Sequence, residues 1–253
     1  MLRVSHPSRK AYDVKPHFRS AREHYPPADQ PMFEAAYAEL CRIDLNGKNV
    51  LEVCCGAGML AVCLARVFPN AQITALDRYA DAGSDVMAVR HQLPNLEYAV
   101  GDALHLPQYT DGSFDLIYGQ ATLHHLSHDC ARLALEYSRL LKPGGRLIFI
   151  YEPLGHNLLV DAVRAARIAR RELGDESNLY LSMLEGIATA FSHCEVQVFN
   201  LIGYAFKGVK NPAILSVVHD LDSWVLKRHP NLLRYCANCN IIFTKGAWQA
   251  EGS

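Results

Sequence analysis

The 253-residue sequence lacks any apolar run of the roughly 20 residues that a membrane-spanning helix requires. Its opening residues, Met1-Leu2-Arg3-Val4-Ser5-His6-Pro7, lack the apolar core of a signal peptide, and a cytoplasmic protein is expected. Charge of one sign is missing too: 25 Lys and Arg face 26 Asp and Glu, a formal net charge of -1. That balance gives no global support for binding nucleic acid or an anionic membrane, so the expected partner is a small molecule, without membrane attachment. A nucleic-acid acceptor is disfavoured, and a monomer or homodimer is the expected state. The eight cysteines, Cys41, Cys54, Cys55, Cys63, Cys130, Cys194, Cys236 and Cys239, form no compact framework and read as reduced, mostly buried side chains. No internal repeat or low-complexity tract is present. What remains is a chain half apolar in composition, long enough for one sizeable core.

The informative stretch is residues 50–58, Val-Leu-Glu-Val-Cys-Cys-Gly-Ala-Gly. Apolar residues around Glu52 read as a short buried strand, and the glycines turn the chain into the helical pattern that begins at Met59. A glycine-rich loop lets backbone approach a ligand closely, and the helix N-terminus favours polar or anionic groups. Asp77 ends the next apolar run at the interval where nucleotide-binding βαβ units place a carboxylate on ribose hydroxyls. Asp102 ends the one after it. Carboxylates at the carboxyl ends of successive parallel strands share one rim of the sheet, where open α/β folds bind ligands.

Together these residues resemble the class I S-adenosylmethionine-dependent methyltransferases. Glu52, Gly56 and Gly58 match that family's acidic-x-Gly-x-Gly-x-Gly pattern, Asp77 its ribose-binding acid, and Asp102, beside Ala103, its adenine-contacting acid. Its later signatures are matched by Phe114-Asp115-Leu116-Ile117, Leu123-His124-His125-Leu126 and Leu141-Lys142-Pro143-Gly144-Gly145. The first glycine of the pattern is replaced by Cys54. If that position requires positive φ, a non-glycine residue costs on the order of 1 kcal/mol or more.

Alternating strands and helices from Lys48 to Glu152 predict a Rossmann-like, mostly parallel sheet with helices on both faces. Strands are expected near 49–53, 72–76, 95–100, 114–118 and 146–151, with helices near 58–67, 80–91 and 128–140. Pro143-Gly144-Gly145 should turn the last helix into its strand. Further on, helices are expected near 157–173, 178–191 and 212–228, and strands near 196–201 and 240–244. The resemblance implies that the last two strands complete seven, with the final one antiparallel. It also implies that 155–193 and 204–232 supply an acceptor pocket inside a domain spanning 46–245, and that 1–45 forms an N-terminal arm or lid. Residues 1–28 read as irregular, with Tyr12, Tyr25, Phe33 and Tyr37 either over the ligand or packing the arm onto the sheet. The tail, 246–253, is given no role. Arg164, Arg167 and Arg171 mark one helix stripe, read as a solvated face or an anion site.

Methyl transfer is an in-line displacement that needs the acceptor held near the methyl, with a base only if the acceptor must lose a proton. His124, His125 and Glu152 are the candidates, because neighbouring strand ends could bring a His and a carboxylate within hydrogen-bond reach. The two histidines cannot both point one way, and the sequence does not choose. Arg78, Tyr79 and Gln120 are further cofactor candidates. His124, His125 and His128, or Cys236 and Cys239, do not make a metal site on spacing alone. The leading reading is methyl transfer from S-adenosylmethionine to an O, N or C atom of a small molecule. A cyclase or lyase that releases methylthioadenosine and a non-catalytic cofactor-binding protein stand as alternatives.

Overall fold

The structure, a computed structural model, describes residues 2–7, 18, 27–170 and 178–246. Among these the elements run β1 (Leu2–Ser5), α1 (Gln30–Cys41), β2 (Asn49–Val53), α2 (Met59–Val67), β3 (Gln72–Asp77), α3 (Ser84–Val89), β4 (Leu96–Val100) and β5 (Phe114–Gln120). There follow α4 (Leu123–Leu126), α5 (Cys130–Leu140), β6 (Leu141–Pro153), α6 (Leu158–Ala169), α7 (Leu181–Ala188), β7 (His193–Phe199), α8 (Pro212–Arg228) and β8 (Asn238–Thr244).

Apolar runs such as Val50-Leu51 and Ile73 to Leu76 have no polar face to turn to water, so each strand must be covered on both sides. One sheet order meets that demand: β1-β7-β8-β6-β5-β2-β3-β4, parallel throughout except β8, which runs antiparallel to both neighbours. Period-2 alternation then sends neighbouring residues to opposite cores. Val50, Tyr118 and Ile148 pack with α1 and α2, while Leu51, Ile117 and Leu147 pack with α5 and α7. The order reverses between β5 and β2, which leaves a crevice at their carboxyl ends.

The sheet has eight strands where seven were expected. The addition is β1, whose Leu2, Arg3, Val4 and Ser5 pair with Cys194 to Gln197 at the edge. The start of the arm, expected to be irregular, is thus part of the sheet. Phe33 and Tyr37 are fully buried in α1 and pack the arm onto the core, the Phe33 ring tilted against that of Tyr151 with centroids 5.0 Å apart. Tyr12 and Tyr25 lie outside the described residues, as do Arg171, the side chains of Arg164 and Arg167, and the tail from 247.

Other boundaries shift for local reasons. β6 begins at Leu141 instead of 146, because Leu141 pairs with Phe114, and Gly144 and Gly145 bond the backbone of Lys245. α3 is shorter than 80–91, since Gly83 at φ +54 sets its start and donates to Gly56 O (2.7 Å). Asn157 caps α6, its Oδ1 accepting from Leu159 N and Val160 N at 3.0 and 3.2 Å.

Candidate functional site

Where β2 ends, Cys54 takes a left-handed backbone, φ +51, the conformation that a glycine would adopt without strain. The turn closes through Gly56 and Gly58, and Gly58 N donates to Cys55 O (2.9 Å). A side chain at Gly58 would meet Val86 Cγ2 at 2.4 Å, so backbone of α2 and side chains of α3 approach as only glycine permits.

Carboxylates hold this loop from beneath. Asp77, at the end of β3, accepts from Gly56 N (2.9 Å) and Tyr79 N (3.2 Å), tying two rim loops together. Glu52 is buried, its Oε2 accepting from Ala61 N (3.0 Å) and the Tyr118 hydroxyl (3.1 Å). Burial raises its pKa to about 8, although those two hydrogen bonds pull the other way. Asp102 stands exposed on the rim beyond β4, with Oδ1 accepting from Leu104 N (3.0 Å). The Cys54 thiol is pushed up to about 12, first by burial and then by the Asp77 carboxylate, which leaves it a protonated, poor nucleophile at neutral pH.

Two openings meet at the loop. A cleft of about 740 Å3 is lined by Cys54, Gly56, Asp77, Arg78, Tyr79, Asp102, Ala103 and His125, together with Leu76, Leu104, Ala121, Leu126, His128, Asp129 and Arg132. A smaller cavity of about 250 Å3 is lined by Glu52, Cys54, Gly56, Gly58, Met59, Leu60 and Gln120. Cys54 and Gly56 belong to both, so the two form one groove across the loop. Every cofactor candidate named from sequence lines it. His128, Asp129 and Arg132 were not named as cleft residues; His128 and Asp129 directly follow the histidine turn and Arg132 lies in the first turn of α5, and that proximity was the available signal.

The structure separates the three catalytic candidates. Glu152 is fully buried and lines neither opening. Its Oε1 accepts from Thr122 N (2.7 Å) and Leu123 N (2.8 Å), and its Oε2 from His124 N (3.2 Å). His124 Nδ1 lies 2.8 Å from the same Oε2. The expected His–carboxylate contact is thus made by His124 and Glu152, and Glu152 sits beneath the rim, where it holds the α4 turn. His124, also buried, is held by it, whereas His125 is exposed to the cleft with its ring centroid 4.1 Å from that of His124. The short helix between them makes the choice that the sequence left open. Among the described residues no group of three or more His, Cys, Asp or Glu is placed to hold a metal ion. Nor, among them, is any helix long and apolar enough to cross a membrane.

A methyltransferase-domain family matches residues 51–149, the segment that builds this groove. Residues 51–149 are thus similar to a methyltransferase domain. The phthiotriol/phenolphthiotriol dimycocerosates methyltransferase of Mycobacterium tuberculosis (strain H37Rv) is 38% identical over 136 residues, 49% of each chain. The fatty-acid O-methyltransferase of Mycolicibacterium smegmatis is 36% identical over 113 residues, 45% of this chain and 40% of that one. This chain spans about half or less of the length of the curated relatives it matches.

Solved structures share the fold. Phosphoethanolamine N-methyltransferase 2 of Haemonchus contortus, in complex with S-adenosyl-L-methionine, superposes with a TM-score of 0.60 at 19% identity, covering 96% of this chain and 60% of that one. Geranyl diphosphate C-methyltransferase of Streptomyces coelicolor A3(2) gives 0.58 at 14% identity, covering 95% and 89%. The chemistry of the groove fits S-adenosylmethionine. Carboxylates on two successive strand ends suit hydroxyl and amino donors, Ala103, Leu104 and Leu126 offer an apolar wall, and the glycine loop leaves space above Gly56, where a side chain would meet nothing within 4 Å.

Proposed function

We propose that this chain transfers the methyl group of S-adenosylmethionine to an oxygen of a lipid-like small molecule, with His125 as the base. The observation that carries the reading is the single groove across the glycine loop, with Asp77 and Asp102 at one end, Glu52 and Gln120 at the other, and His125 in its wall. In this reading Asp77 and Asp102 take the nucleoside, Glu52 and Gln120 the methionine end, and residues within 27–45, 155–170, 178–193 and 204–232 enclose the acceptor. The acceptor class is supported by the names of the relatives, a phthiotriol lipid methyltransferase and a fatty-acid O-methyltransferase. A hydroxyl oxygen, which must lose its proton, is the acceptor type that a neighbouring imidazole serves. Glu152 and His124 act by position, fixing the turn that presents His125.

The test is mass spectrometry of the products from S-adenosylmethionine, alone and with a lipid extract or fatty acids. S-adenosylhomocysteine appearing only with the acceptor, beside a product heavier by one methylene, supports the reading. Methylthioadenosine without acceptor overturns it in favour of chemistry on the methionine arm. Asp77→Ala should abolish cofactor binding in titration calorimetry while the protein stays folded. His125→Ala should keep cofactor affinity within about twofold and lower kcat by about 100-fold or more, the range of a lost general base. An unchanged kcat removes His125 from the chemistry.

A further inference from the structure

The helix α8 has two faces, and only the inner one is accounted for by the fold. Leu215, Val218, Asp222 and Leu226 are buried, and this side lines a cavity of about 420 Å3 with His219 and Ser223 against His6 and Asn200. The outer face carries Ile214, Val217, Leu221 and Trp224, exposed at 47%, 67%, 45% and 59%. At 3.6 residues per turn these four fall within an arc of about 80°. An exposed Val-Leu-Trp stripe on one helix is a recognition surface, not scattered surface apolarity.

We propose that the outer face of α8 docks on an anionic lipid bilayer, with its axis along the surface. Charge complementarity selects this occupant. The stripe ends in Lys227 and Arg228, the guanidinium of Arg228 lying 5.9 Å from the Trp224 ring, and just beyond it Arg234 lies 5.1 Å from the Tyr235 ring. An indole and a phenol, each beside a cation, suit the depth where acyl chains give way to anionic headgroups, and an amphipathic helix with that arrangement lies in the interface plane. Asp220 is exposed at the polar border, and its charge opposes docking less than the three cations favour it. Near-neutral composition gives no global support for such binding; the fold gathers the cations locally. This inference goes beyond methyl transfer and stands without it.

The experiment is flotation of the protein with vesicles of phosphatidylcholine alone or with about a third phosphatidylglycerol, without cofactor or acceptor. A Trp248→Phe background leaves Trp224 as the single indole, so its emission reports burial of this face. Binding to the anionic vesicles with a blue shift is expected, weakened by raised salt. At about fivefold per cation, the Lys227→Glu/Arg228→Glu pair should weaken it at least tenfold. Val217→Asp/Leu221→Asp should abolish the blue shift while far-ultraviolet dichroism stays unchanged. No flotation at either composition, or flotation that both variant pairs leave intact, overturns the proposal. So does a sedimentation-equilibrium dimer that Leu221→Asp dissociates, which would give the face to a second copy of the chain.

Discussion

At the scale of single residues, Glu52 shows how one position serves two demands. As a strand residue it must be buried, and as a carboxylate it must find donors, which Ala61 and Tyr118 supply. Burial still dominates, and the raised pKa of about 8 has a signed consequence for folding. Below the ordinary value of 4.5 both folded and unfolded chains hold the proton, so the group contributes no pH dependence. Between 4.5 and about 8 the unfolded chain has lost the proton while the folded one keeps it, and stability falls as pH rises. Glu52→Gln keeps an oxygen to accept both hydrogen bonds and cannot ionise. Its melting temperature should therefore gain on the wild type steadily across that window and level off above it, as scanning calorimetry at several pH values would show. Cys54 carries the opposite lesson. The sequence showed a missing glycine and the conditional cost of positive φ; the structure adopts that backbone with a cysteine, at a strain of about 1 kcal/mol.

At the scale of elements, the four-residue helix α4 is too short to persist on its own. It is held by a carboxylate from another strand: Glu152 takes three successive backbone N–H groups and the His124 imidazole. Glu152→Gln would aim an amide N–H at a backbone donor in a dry site, and a loss of about 2–4 kcal/mol is expected from urea unfolding. This arrangement also marks the limit of what the sequence disclosed. Glu152 and His124 are 28 positions apart, and residue types at two strand ends pointed to a His–carboxylate contact, yet which histidine turned inward depended on the register of one helical turn. Long periodic elements were legible: α8 spans 212–228 as its pattern required, and β2 spans 49–53. β1 was not, because four alternating residues, Leu2 to Ser5, carry too little pattern to outrank an irregular arm.

At the scale of the whole molecule, the sheet's order sets both where ligands go and how firmly each strand is held. The carboxyl ends of β2, β3 and β5 form the groove, while β1 and β4 stand at the two edges with one neighbour each. Amide hydrogen exchange should therefore be slowest in β2, β5, β6 and β8 and faster in β1 and β4, since the edges open without disturbing the centre. Measured protection as high in β1 as in β5 would contradict that gradient. Motifs on the parallel half made the groove legible in sequence, because there each strand and its loop are contiguous. The antiparallel half draws its walls from α1, β7 and α8, distant in the chain, and no local pattern connects them.

The edge pairing of β1 also bears on how the molecule is made. Leu2 lies beside Cys194, and His6 Nδ1 meets the carbonyl of Val198, 192 positions later. At roughly 5 to 20 residues per second, β1 waits roughly 10 to 40 s for its partner to be synthesised. Through that interval Leu2 and Val4 have no sheet to join, and a nascent chain of this protein presents them to the chaperones at the tunnel exit.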